Sequence, residues 1–206
     1  MYLGGICFIT DKTFCKLSIY EMTEIVLKAG VRFIQYRDKE RTRRDIFEEA
    51  LKLRGLTKRF HATFIINDHA DIALAVDADG VHLGQEDLPL KEARKIMGTR
   101  IVGISTHDLN QAREAEEGGA DYIGFGPIFD TLTKDAGAPR GIAALRMMRR
   151  EIRIPVIVIG GVNMDNIEAC FDAGADAAAM ATAICSGDIT GKAKGFVALL
   201  RGRYIK

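Results

Sequence analysis

The stretch Gly118-Gly119-Ala120-Asp121, which comes just before the apolar run at 122–126, decides the fold because it recurs along the chain. Similar turns precede three other apolar runs, at spacings of roughly 40–55 residues, which is within the range of internal repeats. The other copies are Ala29-Gly30-Val31-Arg32, Val76-Asp77-Ala78-Asp79 and Ala173-Gly174-Ala175-Asp176. A small-residue turn that closes one helix and starts the next strand explains each copy.

Short apolar runs alternate with longer segments in which apolar residues recur three and four positions apart. The short runs are β-rich and almost continuously apolar, as parallel strands covered on both faces are. The predicted strands are residues 5–10, 31–36, 63–67, 80–83, 100–105, 122–126, 155–159 and 177–180. The predicted helices are residues 19–29, 43–58, 90–97, 109–117, 142–152, 164–173 and 190–201, with a short further helix at 69–76.

Four copies of a double βα unit give eight strands, which is the strand count of a closed (β/α)8 TIM barrel. An open, doubly wound sheet is the alternative, but the four-fold repeat favours closure. The chain has 206 residues, close to the lower size limit of about 200 for such barrels. We therefore predict one barrel domain over residues 1–206, with short loops and a site built from the carboxyl ends of the strands.

The overall composition excludes several classes of function. The net charge of +1, without a basic tail, gives no reason to expect nucleic acid as a partner. No apolar run is long enough to span a membrane, and the N-terminal apolar segment is too short for a signal peptide. The cysteines lack metal or CxxC spacing and are interpreted as reduced thiols, which predicts a cytoplasmic location.

Three polar residues alternate at the end of the second predicted strand, Gln35, Arg37 and Lys39. Alternate residues of a strand share one face, so an amide and two cations converge where the strand ends. Arginine and lysine together suit an anionic ligand such as a phosphate. The alternative is a charged strand end that faces water.

Two carboxylates, Asp68 and Asp87, follow the neighbouring third and fourth strands. Two oxygen ligands with the amide of Asn67 nearby suit Mg²⁺, which is usually completed by waters and substrate phosphates. The alternative for Asp68 is to cap the helix that follows.

The four histidines show no zinc spacing. His61 is interpreted as a surface residue, His69 as a helix start and His82 as a packed rim residue. Only His107, near Ser105 at the end of the fifth strand, is a candidate site histidine. No Ser-His-acid triad can be assigned.

A second candidate anion site follows strands seven and eight, where barrels often bind phosphate. Gly160-Gly161 lets an anion reach backbone N–H groups, and Ala181-Thr182 stands at the next strand end. Between the two sites lies a loop with Thr131, Thr133 and Lys134. The segment 135–141 that follows is predicted to form a lid, and the alternative is a surface loop with a solvated lysine.

Taken together, the strand-end motifs resemble the thiamine-phosphate synthase family almost from end to end. The matching motifs are Ile9-Thr10-Asp11, Gln35-x-Arg37-x-Lys39, Asn67-Asp68-x-x-Asp71-x-Ala73, Gly80-Val81-His82-Leu83-Gly84-Gln85, Gly103-Ile104-Ser105-Thr106-His107, Gly126-Pro127-Ile128-Phe129, Thr131-x-Thr133-Lys134 and Ile159-Gly160-Gly161. The set is specific, although no single motif is.

The resemblance implies a TIM-barrel transferase that joins a pyrimidine diphosphate to a thiazole phosphate and releases pyrophosphate. The pyrimidine diphosphate would ionise first, and the thiazole nitrogen would capture the resulting cation. The resemblance implies that Gln35, Arg37, Lys39, Asn67 and Lys134 hold the diphosphate, that Ser105 contacts the pyrimidine, that Asp68 and Asp87 hold Mg²⁺, and that Thr131, Thr133, Gly161, Ala181 and Thr182 bind the thiazole phosphate.

Two other functions remain open for the same barrel. A thiazole tautomerase would need the thiazole-phosphate site and a proton-transferring group such as His107, but not the diphosphate and metal residues. A non-catalytic sensor would bind both ligands without turnover and would use a partner surface, for which the basic segment 146–153 is a candidate. The expected partners are the two small-molecule substrates, with no nucleic acid and no membrane, and a homo-oligomer is left open.

Overall fold

A computed structural model describes residues 3–13, 15–131 and 137–201 of the chain. Within these residues, eight parallel strands follow one another around a closed barrel in chain order. The first and last strands also pair, with Gly5 of the first opposite Ala177 of the last. The predicted (β/α)8 barrel is therefore confirmed, and the open-sheet alternative is excluded.

Strands and helices alternate as the repeat predicts. The strands are β1 Gly5–Ile9, β2 Phe33–Tyr36, β3 Thr63–Asn67, β4 Gly80–Leu83, β5 Ile101–Thr106, β6 Tyr122–Phe125, β7 Val156–Ile159 and β8 Ala177–Met180. The helices are α1 Ile19–Ala29, α2 Arg43–Arg59, α3 Ala70–Ala75, α4 Leu90–Met97, α5 Leu109–Glu117, α6 Gly141–Glu151, α7 Ile167–Asp172, α8 Thr182–Cys185 and α9 Ile189–Leu200. We call the end where the strands finish the upper rim and the opposite end the lower rim.

Two element boundaries differ from the sequence prediction by more than one residue, each for a local reason. The strand predicted from residue 31 begins at Phe33, because Gly30 and Val31 donate their N–H groups to the last turn of α1 and so belong to its C-cap. The helix predicted over 164–173 begins at Ile167. Its first turn is displaced by the side chains of Asn163 and Asn166, which accept hydrogen bonds from the backbone N–H groups of Asp165 and Asn163.

The strands are buried on both faces, as their continuous apolar character predicts. Outward-facing residues such as Phe8, Ile34 and Phe64 join the helices in one large apolar core. Inward-facing residues form a second, smaller cluster that includes Phe33 and Tyr122. The barrel is therefore filled by side chains, and ligands have access only at its rims.

A glycine makes room for the largest side chain inside the barrel. A Cβ atom on Gly103 of β5 would lie 2.0 Å from Cζ of Tyr122, the first residue of β6. The Tyr122 ring also packs edge-on against Phe33, with ring centroids 6.0 Å apart. The absence of a side chain at Gly103 thus lets the tyrosine lie across the barrel interior.

The repeated turns carry a polar contact at the lower rim. Asp79, Asp121 and Asp176, which we call the lower-rim aspartates, each precede an even-numbered strand. Their carboxylates accept from the N–H groups of Phe64, Val102 and Val156, each in the preceding odd-numbered strand. Arginines of helices α2, α4 and α6 pair with the same carboxylates, and these are Arg54, Arg94 and Arg149. The first copy of the repeat has Arg32 at this position instead.

No helix in the described part of the chain combines the length and the apolar character needed to cross a membrane.

Candidate active site

Two buried amide side chains face each other near the upper ends of β2 and β3. Gln35 Nε2 donates to Asn67 Oδ1 at 2.7 Å. On its other side, Gln35 Oε1 lies 4.0 Å from the Cys7 thiol, which donates to it. Gln35 is 5% exposed and Asn67 is 9% exposed, so water competes little for these bonds. Each amide still has hydrogen-bonding capacity that a ligand in the barrel mouth can use.

The backbone of Arg37, just beyond β2, is fixed by the buried side chain of Thr10. The Thr10 hydroxyl accepts from the Arg37 N–H at 3.0 Å and donates to the Arg37 carbonyl at 3.1 Å. Arg37 and Lys39 line a cavity of about 590 Å³, together with Lys12 and other charged residues of the β1 and β2 loops. The two cations predicted to bind an anion therefore share one cavity.

Asp68 and Asp87 lie together beside this cation pair. Lys39 Nζ is 2.8 Å from Asp68 Oδ2. Asp87 Oδ2 accepts from the Gly84 N–H at 2.7 Å. Burial and the neighbouring Asp68 carboxyl raise the pKa of Asp87, while the Gly84 hydrogen bond and the Lys39 charge oppose that rise.

The carboxylate of Asp68 is not used to cap a helix. Asp68 has a φ of +64°, in the left-handed region that aspartate tolerates better than most residues. The cap position of α3 is His69, and no side chain caps that helix. The helix-cap alternative for Asp68 is therefore wrong, and its carboxylate faces Lys39 and Asp87.

The acid pair fits a hard divalent cation. Two carboxylates held close together repel each other, and a cation between them removes that repulsion. Among the described residues, no cluster of three or more histidine, cysteine or acidic side chains could hold a metal. A site with only two protein ligands leaves the remaining positions for waters and phosphate oxygens, as Mg²⁺ prefers.

A buried histidine links Ser105 to the barrel interior. His82 Nε2 is 2.9 Å from Ser105 Oγ, and His82 Nδ1 is 3.0 Å from the Tyr122 hydroxyl. The rings of His82 and Tyr122 are stacked with centroids 5.4 Å apart. Burial lowers the pKa of His82 to about 4, against a smaller opposing effect of Asp87. The interpretation of His82 as a mere packing residue is therefore incomplete.

His107, the histidine that the sequence analysis favours as a site residue, forms a hydrogen bond with the backbone of the barrel. Its Nδ1 lies 2.9 Å from the carbonyl oxygen of Gly126. The side chain is exposed. Ser105 is held separately, because Gln85 Nε2 donates to its carbonyl oxygen at 2.6 Å. His82, and not His107, is the histidine in hydrogen-bond contact with Ser105.

A second cavity of about 290 Å³ lies at the ends of β7 and β8. Its lining includes the predicted residues Thr131, Gly161, Ala181 and Thr182, and also Ile159. Gly161 has a φ of +67°, and a Cβ atom there would lie 2.3 Å from the Asp130 carbonyl oxygen. Only glycine fits at this turn.

The structure thus brings most of the predicted site residues to one rim, in two groups. Gln35, Arg37, Lys39, Asn67, Asp68, Asp87 and Ser105 lie at the ends of β2 to β5, and Thr131, Gly161, Ala181 and Thr182 line the cavity at β7 and β8. Thr133 and Lys134 lie outside the described residues. Their predicted roles, like those of the other site residues, remain predictions.

Sequence reasoning missed His82, Tyr122 and Thr10 as parts of the site. A signal for His82 existed, because a polar residue in the middle of the buried strand β4 must face a partner inside the barrel. Thr10 belonged to the Ile9-Thr10-Asp11 motif, but its partner Arg37, 27 positions away, could not be identified from the sequence.

Comparisons with known proteins agree with this geometry. The family model described as thiamine monophosphate synthase matches residues 6–184. The thiamine-phosphate synthase of Halalkalibacterium halodurans is 48% identical over 191 residues, covering 91% of this chain and 90% of that protein. That of Chloroflexus aurantiacus is 45% identical over 179 residues, covering 86% and 83%.

A solved structure is similarly close. The thiamine phosphate pyrophosphorylase of Pyrococcus furiosus superposes with a TM-score of 0.90 at 36% identity, covering 98% of this chain and 97% of that one. These relatives confirm the prediction that the chain is an enzyme of the thiamine-phosphate synthase type. The chain belongs to the thiamine monophosphate synthase family.

Proposed function

We propose that the chain joins a pyrimidine diphosphate to a thiazole phosphate, forming thiamine phosphate and releasing pyrophosphate. The observation that carries this proposal is the division of the upper rim into two unlike halves. One half holds the carboxylates Asp68 and Asp87, with Lys39 paired to Asp68 and Arg37 beside Lys39 in the lining of one cavity. The other is a glycine-lined cavity with hydroxyls but no cation among its described lining residues.

The charged half suits the leaving diphosphate. The bond between the pyrimidine methylene carbon and the diphosphate oxygen breaks, and its electron pair leaves on the pyrophosphate. Arg37 and Lys39 stabilise the charge that develops there, because they are already in place when it forms. A Mg²⁺ ion held by Asp68 and Asp87 would add positive charge at the same group.

The buried polar groups near β2, β3 and β5 suit the pyrimidine ring. The Gln35 and Asn67 amides belong to β2 and β3, and Ser105 belongs to β5, two strands further round the barrel from β3. Groups fixed by other hydrogen bonds can hold the ring without reorganising as the methylene cation forms.

The glycine-lined cavity suits the phosphate of the nucleophile. Gly161 gives a phosphate access to backbone N–H groups, and Thr131 and Thr182 supply hydroxyls. Holding the thiazole by its phosphate brings the ring nitrogen to the cation, and the nitrogen lone pair forms the new C–N bond. The ring nitrogen is neutral and needs no general base, which agrees with the lack of an assignable triad. Proximity then favours capture of the cation by the thiazole nitrogen over capture by water.

The test is to incubate the protein with both substrates and Mg²⁺ and to measure pyrophosphate and thiamine phosphate. Equal amounts of the two products are expected, and neither should form when Mg²⁺ is chelated. Isomerised thiazole phosphate without pyrophosphate would replace this proposal by the tautomerase function. Binding of both ligands without any product would replace it by the sensor function.

A further inference from the structure

We propose that His82 is a positioning residue that makes the Ser105 hydroxyl a hydrogen-bond donor toward the barrel mouth. The observations that carry the proposal are the two contacts of the imidazole, 3.0 Å to the Tyr122 hydroxyl and 2.9 Å to Ser105 Oγ. The role assigned to the donated proton, a bond to an acceptor nitrogen of the pyrimidine ring, rests on the proposed function.

The direction of the hydrogen bonds follows from the needs of the Tyr122 hydroxyl. Tyr122 is 1% exposed, so water does not reach its O–H proton, and an acceptor inside the protein stabilises this buried donor. Among the described residues, His82 Nδ1 is the one hydrogen-bond partner of this hydroxyl. We therefore infer that the Tyr122 O–H donates to Nδ1, which is then unprotonated.

The tautomer of His82 then fixes the role of Ser105. A neutral imidazole with a bare Nδ1 carries its proton on Nε2. The Nε2–H group donates to Ser105 Oγ, so the hydroxyl accepts from the protein and its own proton is directed to another acceptor. The chain runs from Tyr122 through His82 to Ser105, and hydrogen bonds that run in one direction strengthen each other.

The packing around the chain leaves the imidazole little freedom to turn. The His82 ring is stacked on Tyr122, and a Cβ atom on Gly124 would already be 3.1 Å from His82 Cε1. The Tyr122 ring occupies the space left by Gly103. A flip of the ring would require displacement of these neighbours, so the packing fixes which nitrogen faces Tyr122 and which faces Ser105.

The first experiment measures the tautomer directly in the protein without ligands. ¹⁵N NMR of histidine-labelled protein distinguishes protonated from bare ring nitrogens, and His82→Gln identifies the His82 signals. The expected result is a proton on Nε2, a mixed population in Tyr122→Phe, and no change in Tyr36→Phe. Tyr36 is a matched control because it is an equally buried tyrosine that packs in the outer core and not in the inner cluster that holds Tyr122. A proton on Nδ1 in the unmodified protein would overturn the proposal.

The second experiment asks whether Tyr122 and His82 act through Ser105. Tyr122→Phe should lower kcat about tenfold, the range expected when a buried hydrogen bond is lost, and leave the KM for the thiazole phosphate unchanged. In the Ser105→Ala background the same substitution should have almost no further effect. An equal loss in both backgrounds, or an equal loss in Tyr36→Phe, would mean a purely structural role.

The two experiments separate this inference from the proposed function. If no thiamine phosphate forms in any variant and His82 carries its proton on Nε2, the proposed function fails and the directed hydroxyl stands. If thiamine phosphate forms and the proton is on Nδ1, the proposed function stands and the inference about the Ser105 hydroxyl fails.

Discussion

The two rims of the barrel use the same residue types to opposite effect. At the lower rim, each lower-rim aspartate accepts a backbone N–H and pairs with an arginine, as Asp79 does with Phe64 and both terminal nitrogens of Arg54. At the upper rim, Asp68 and Asp87 lie against each other, and Lys39 pairs with only one of them. The lower rim satisfies its charges within the protein, and the upper rim leaves charge for a ligand to neutralise.

The difference shows that residue type alone does not separate stability from function. An aspartate that follows a strand and one that precedes a strand look alike in sequence. Their roles diverge because parallel strands bring free N–H groups to one end of the barrel and loop openings to the other. The predictions below test this division.

The largest expected effect is on turnover at the upper rim. Asp87→Ala should lower kcat/KM about 100- to 1,000-fold, because the leaving diphosphate loses part of its charge stabilisation. The fold should persist, as measured by circular dichroism and thermal unfolding. The matched control is Asp77→Ala at the lower rim, where turnover should stay within about twofold of the unmodified enzyme. Near-normal turnover of Asp87→Ala would remove that residue from the proposed site.

The next effect is on stability at the lower rim. Arg54→Ala should lower the free energy of unfolding by about 2–3 kcal/mol, because it leaves the partly buried Asp79 carboxylate without its two-nitrogen partner. Urea unfolding measures the change, and kcat of the remaining folded enzyme should be unaltered. A fall in kcat with unchanged stability would contradict the division between the rims.

The same substitution, aspartate to asparagine, should change the stability of the protein in opposite directions at the two rims. Asp79→Asn should destabilise the protein by about 2 kcal/mol, since hydrogen bonds to a charged group are lost. Asp87→Asn should stabilise it in the absence of Mg²⁺ at pH 7. The pKa of Asp87 is raised in the folded state, so its ionisation at neutral pH opposes folding.

The pH dependence provides the check on Asp87→Asn. Its advantage should shrink as the pH falls and disappear below about 4, the unfolded pKa of aspartate, because the carboxyl is then protonated in both states. Urea midpoints at several pH values measure this. Destabilisation by Asp87→Asn at pH 7 would show that its carboxylate is structural.

The smallest effect concerns an exposed carboxylate of the lower rim. Hydrogen bonds from Lys58 and Arg100 lower the pKa of Asp77 to about 2. A lowered pKa contributes stability above the unfolded value of about 4, which is lost as the pH falls toward 2. Asp77→Asn should therefore matter only near neutral pH and at low salt, because salt screens exposed pairs. A salt-independent loss of stability would mean that Asp77 is more than a surface ion pair.

Much of the fold could be predicted because helices and strands leave periodic patterns. The predicted bounds of β3, β4 and β8 agree with the structure, as do those of α1, α4 and α5. The errors of more than one residue arose where a side chain or a cap competed with the regular element, as at Asn163 and Gly30. Such local hydrogen bonds leave no period in the sequence.

The candidate site was predicted only as far as strand ends allow. Arg37, Lys39, Asp68 and Asp87 could be assigned to one rim because parallel strands end together. The partners of His82 could not, since they depend on the register of β4, β5 and β6, which pairs His82 with Gly103 and Ser105 with Gly124. The same limit hid the polar role of the lower-rim aspartates, whose N–H partners lie 15–20 positions earlier.

The lower-rim aspartates have a further consequence for how the chain could be rearranged. Each binds backbone within its own four-element unit, and its arginine comes from the unit before, so three of the four unit boundaries carry an ion pair. The fourth boundary lies between β8 and β1, where the described chain has its two ends. Here the repeat has Arg32 in place of a lower-rim aspartate. At the three internal boundaries an ion pair therefore joins the two units in addition to the covalent connection. Circular permutants opened at one of these boundaries should still form the barrel, because the ion pair still holds the two four-element units together there.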